Sequence, residues 1–161
     1  MSSTLLRNVK RLILAFALIS CSFTASVSAQ GVIQHALTPA DMASVQQYML
    51  TEDSFQKLLA TAKDAKANKV QIRILDPNAH SLDETATHLN ASPDVRALLS
   101  RHSLSAHEFL LGEYALLSAE FAVKYGEQAG FDASMANPAN MALYRKHEAE
   151  IDALSGDDGN N

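Results

Sequence analysis

Cysteine, glycine, proline and tryptophan are scarce or missing, and each scarcity removes a class of protein. One cysteine, Cys21, in 161 residues leaves no internal disulfide and no four-cysteine zinc site. Six Gly and four Pro exclude a collagen-like or low-complexity chain. Cations are in the minority, with 13 Lys+Arg against 18 Asp+Glu and a formal charge of −5. That balance argues against nucleic acid as a partner, because phosphate binding rests on clustered Lys and Arg. No apolar run reaches the ~20 residues that a bilayer-spanning helix needs. Gly-x-Ser-x-Gly, phosphate-loop, His-Glu-x-x-His and Cys-x-x-Cys-His motifs are absent too, so no catalytic motif is found and no cofactor is expected. What is present is one domain's length of chain, 47% apolar.

The first 29 residues read as an address. Arg7, Lys10 and Arg11 are the only charges before Asp41, an apolar run follows from Leu12 to Ile19, and Val27-Ser28-Ala29 closes a small-residue stretch. Basic segment, short apolar core and small-residue site are the parts of a secretory signal peptide, with cleavage expected after Ala29. A periplasmic or secreted protein follows. The alternative is carried by Leu18-Ile19-Ser20-Cys21, which resembles a bacterial lipobox and would anchor the chain through a lipidated Cys21. The leader holds three of the 13 Lys+Arg and none of the 18 Asp+Glu, so cleavage takes the formal charge from −5 to −8.

Residues 30–37 lack periodicity and read as a linker; 38–155 read as a helical domain and 156–161 as a disordered acidic tail. Helix starts are written in local chemistry. Thr38-Pro39-Ala40-Asp41 places a capping hydroxyl before a first-turn proline. Met42, Val45, Met49 and Leu50 form a stripe behind it. Thr51-Glu52-Asp53 restarts or kinks the helix, and Phe55, Leu58, Leu59 and Ala62 continue at helical spacing. Ser81 to Glu84 and Ser105 to Glu108 have the capping-box pattern; Ser92-Pro93 and Asn137-Pro138 begin two further helices. Val70 to Leu75 alternates like a strand. A lone strand has no partner, so extended chain or a frayed helix end is expected there. The fold class is all-α: a compact bundle of five to six helices.

The longest helix is expected from about residue 106 to Ala129. Phe109, Glu113, Leu116, Glu120, Lys124 and Glu127 fall on one strip, with Leu110, Tyr114, Leu117, Phe121 and Tyr125 roughly opposite. The pattern predicts a central helix buried except for that strip, with Glu120 and Lys124 as a solvated i, i+4 pair.

Chemistry could gather at one place. Glu84 and His88 are four apart on a predicted helix and His80 lies just before its cap, an imidazole and carboxylate set suited to zinc, copper or nickel. The plainer alternative has Asp83 and Glu84 answering the helix dipole, with both histidines at the surface. His107 shares the apolar side of the long helix and is expected as a core or boundary residue bonded to a carbonyl or hydroxyl. It could otherwise serve as a metal or haem ligand or a pH sensor. Met42, Met49, Met135 and Met141 read as packing residues.

The helix from Ser81, the segment Pro93 to Leu99, the run His102 to Leu110 and Asn137 to His147 together resemble small exported bacterial all-helical proteins of uncharacterised function. The likeness runs from about Phe55 to Leu154. It implies an all-helical exported domain and carries over no catalytic residues. The expected function is a non-enzymatic binding or accessory domain of the cell envelope, with an envelope protein as partner. The alternative is a small-ligand or divalent-metal carrier using His80, Glu84, His88 or His107. An exposed apolar patch of several hundred Å² would mark a protein or lipid partner, and convergent side chains around a pocket would mark a carrier.

Overall fold

A computed structural model describes residues 37–126 and 136–156. The expected leader, the Ala29 and Cys21 sites, Met135 and residues 157–161 lie outside those residues, while Gly156, expected to open the tail, ends the last helix. Among the described residues the fold is all-α, with six helices: α1 (Pro39–Gln47), α2 (Glu52–Asn68), α3 (Leu82–Ala91), α4 (Pro93–Arg101), α5 (Ala106–Lys124) and α6 (Pro138–Gly156). No described helix is long and apolar enough to cross a membrane.

Each start follows from a hydroxyl or amide that takes a free first-turn N–H. Thr38 Oγ1 accepts from the Asp41 N–H at 3.1 Å, while Asp41 Oδ2 accepts from the Thr38 N–H at 3.0 Å. Thr51 with Ser54 and Ser105 with Glu108 close the same reciprocal box. Ser92 caps the end of α3 and the start of α4, held extended by the proline that follows it. At Ser81 the box is altered. Ser81 Oγ accepts from the Glu84 N–H, but the Glu84 carboxylate passes the cap residue and accepts from the His80 N–H at 2.7 Å.

With few glycines available, two helices end on ordinary residues in the left-handed region, Lys69 and Ser103, both at φ 56°. Val70 N–H returns to Ala65 O and Leu104 N–H to Leu99 O, a closure usually given to glycine. Lys69→Gly and Ser103→Gly are each expected to stabilise by up to about 1 kcal/mol, read as a higher urea midpoint at unchanged m-value.

Residues 70–75 form neither strand nor helix and bend at 74–75, in keeping with their isolation. Ile74 is buried, and its carbonyl accepts from the Tyr114 hydroxyl at 2.9 Å. Asp76-Pro77-Asn78 turns the chain, with the Asn78 N–H on Asp76 Oδ1. Leu37, at the end of the expected linker, is buried in the core. The stripe behind Thr38 is shorter than expected: α1 stops at Gln47, Leu50 is buried in the link to α2, and Met49 is 61% exposed.

The long helix corrects the sequence reading most. It packs against each of the other five helices, and it ends at Lys124 with Gly126 at φ +50° rather than running to Ala129. Its expected solvated strip is buried: Phe109, Glu113, Leu116 and Glu120 are 3–5% exposed. Neighbours far off in sequence cover both sides, so α5 has no wet face down most of its length. Glu127 lies outside the described residues.

One close approach depends on glycine. A Cβ at Gly112 would lie 2.8 Å from Leu58 Cδ1 and 3.4 Å from its Cγ, and Leu58 itself is 2% exposed. Gly112→Ala gains about 1 kcal/mol of helix propensity but overpacks a filled core at about 1–3 kcal/mol. A net loss near 1 kcal/mol is expected, and a larger one for Gly112→Val, by urea unfolding.

Candidate functional site

Two glutamates inside the bundle are the least ordinary feature of the molecule. Both come from α5, seven residues and two turns apart on one face. Glu113 is 3% exposed, and its Oε1 has no hydrogen-bond partner. Burial alone pushes its carboxyl up to about 8, so at neutral pH it keeps the proton that an exposed glutamate has lost.

Glu120 has company. Its Oε1 lies 3.1 Å from Lys124 Nζ, and the Tyr144 hydroxyl donates to it at 3.4 Å. Lys124 also reaches Asp152 at 2.8 Å and sits 5.7 Å from the centre of the Tyr144 ring. Burial raises the Glu120 carboxyl and Lys124 opposes that rise. Burial works against the Lys124 charge, but Asp152, Tyr144 and Glu120 outweigh it and raise the ammonium well above its ordinary range. Lys124 is therefore held charged; it is a clasp between α5 and α6 and is poorly suited as a neutral amine nucleophile. The pair expected at the surface has its carboxylate buried, and it meets α6 through Tyr144 and Asp152.

The sequence-nominated residues are spread apart. His88 Nδ1 lies 2.6 Å from Asp76 Oδ2 in the preceding turn. Glu84 is committed to the His80 backbone, so the His80, Glu84 and His88 side chains do not converge as a ligand set. Among the described residues no group of three or more His, Cys, Asp or Glu could hold a metal ion. His107 is not in the core: its side chain is 46% exposed and Nδ1 lies 3.0 Å from Asp83 Oδ1. In the first turn of α5 it sits beyond the packed length, where a first-turn carboxylate of α3 meets it.

Two further histidine contacts were not anticipated. His102 Nε2 is 3.0 Å from Asp64 Oδ2, which Arg101 also contacts at 3.1 Å. The His102 bond, then Arg101, holds the Asp64 carboxyl below the usual range. On α6, the His147 ring packs on Phe55 at 4.4 Å between centroids, with Nε2 2.7 Å from Glu52 Oε1 but poorly aligned for a hydrogen bond. The Lys146 bond chiefly lowers the Glu52 carboxyl. Each of these pairs ties one element to another: α3 to the 70–81 link, α5 to α3, α4 to α2, and α6 to α2. No local motif announces them, since the partners lie 12 to 38 residues apart in the hydrogen-bonded pairs.

Comparison of the chain with protein-family models, with curated proteins and with solved structures finds no match.

Proposed function

We propose that this is an exported helical domain of the bacterial cell envelope that binds or assists another envelope component and catalyses no reaction. The observation that carries the reading is the order of the first residues: Arg7, Lys10 and Arg11, then Leu12 to Ile19, then Val27-Ser28-Ala29, ahead of a capped helical bundle. The described surface shapes the kind of contact. Met49 is the one large apolar side chain exposed among the described residues. The exposed apolar patch that would have marked a protein or lipid partner is thus not seen among the described residues, which weakens that part of the expectation.

The test is the fate of the leader. The full chain, expressed in a Gram-negative host, is fractionated and its intact mass measured. A periplasmic species beginning at Gln30 is the expected result. A membrane-bound species beginning at modified Cys21 would keep export and replace release by anchoring. Full-length chain retained in the cytoplasm would overturn the reading. A native mass spectrum of the exported species then reports a bound partner or ligand directly.

A further inference from the structure

Glu113 stands apart from every other acid in the bundle. Its Oε1 is buried without a partner in a helix that packs against all five others. Among the described residues, the buried side chains of α1 to α4 are uncharged: Val45 on α1, hydrocarbon and Thr61 on α2, Leu82, Thr85, Ala86 and Leu89 on α3, Val95, Leu98 and Leu99 on α4. From α6 the titratable groups that are buried or half-buried are Tyr144, whose hydroxyl is bonded to Glu120, His147, which meets Glu52 and Glu150, and Glu148 and Glu150 themselves. On α5 itself, Tyr114 is bonded to the Ile74 carbonyl and Lys124 to Glu120 and Asp152. Among the described residues no cation is placed to neutralise an ionised Glu113, and burial is the influence that raises its carboxyl.

We propose that Glu113 is a proton-held latch: while its carboxyl is neutral α5 stays seated among its neighbours, and loss of that proton opens the packing around α5 so that water reaches the carboxylate. The sign follows from linkage. The folded state holds this proton to about pH 8, whereas the opened state releases it in the ordinary carboxylate range. The bundle is tightest in mild acid, loosens as pH rises from about 5 to 8, and changes no further above that on this account. The latch is independent of where the chain resides.

Hydrogen exchange of α5 amides, corrected for intrinsic rates, tests this on the full chain together with ¹³C titration of the Glu113 carboxyl. In the wild type the opening equilibrium should grow by up to about tenfold per pH unit between pH 5 and 8. In Glu113→Gln that slope should drop, and the difference between the slopes isolates Glu113 from the histidine pairs. Equal slopes in the two proteins, or a Glu113 carboxyl titrating in the ordinary range, would overturn the proposal. Should Glu113→Gln fail to fold, the wild type decides alone. α5 opening that grows below pH 8 and levels off where the Glu113 carboxyl titrates supports the latch, and titration without opening sinks it.

Discussion

Lys124→Met should destabilise the bundle by about 3–5 kcal/mol, the loss typical when one member of a buried pair is removed and the other stays. Glu120, 5% exposed, would keep only the 3.4 Å contact from the Tyr144 hydroxyl. Asp152 also loses the lysine, but its side chain is 54% exposed and water replaces the contact at little loss. The loss carries a pH signature. Without Lys124 the Glu120 carboxyl rises further above its unfolded value, so the variant falls in stability as pH climbs past the ordinary carboxylate range and recovers in acid. Adding Glu120→Gln should restore much of the stability at pH 7, because no buried charge then lacks a partner. Urea unfolding of the two variants at pH 5 and pH 7 checks both statements. A single variant that unfolds like the wild type at pH 7 would show the clasp to be idle.

Asn140→Leu is expected to remove about 2–5 kcal/mol although it keeps the branched shape of the side chain and adds apolar surface. Asn140 is 1% exposed; its Oδ1 accepts from the Leu50 N–H at 2.8 Å and its Nδ2 donates to the Tyr48 carbonyl at 2.8 Å. Those two backbone groups sit where α1 has ended and α2 has not begun, so no helix partner is available to them. Leucine leaves both unmet in the interior, at roughly 1–3 kcal/mol each. The damage should be local first: the Leu50 amide is expected to lose exchange protection well before amides of α3 do. Equal protection of Leu50 in variant and wild type would count against the bracket.

The elements that could be read from sequence are those whose causes are local. Thr38, Ser81, Ser92, Ser105 and Asn137 announce helix starts because a hydroxyl or amide oxygen three residues or fewer from a free N–H acts within one turn. The α5 strip could not be read that way. A helical wheel sorts residues by angle and assigns the charged side to water, but α6 arrives from some twenty residues downstream and covers that side. One signal did point inward: Phe109 and Leu116 alternate with Glu113 and Glu120 along the strip. A solvated face has little reason to carry a phenylalanine and a leucine at two-turn spacing. The His80, Glu84 and His88 set failed for a different reason. The His80 backbone N–H takes the Glu84 carboxylate and the Asp76 carboxylate takes the His88 ring. First-turn acids answer the helix end before they answer one another.

The Asn140 bracket also dictates an order of events in the making of the chain. Its partners lie 90 and 92 residues earlier. During synthesis the junction of α1 and α2 therefore waits, with its backbone unsatisfied, until most of the protein has been made. A nascent chain lacks this bracket for as long as its C-terminal helix is missing. On the proposed export, a translocation channel that accepts only unfolded polypeptide would find that delay useful, and Asn140 sits near the far end of the sequence from the expected leader.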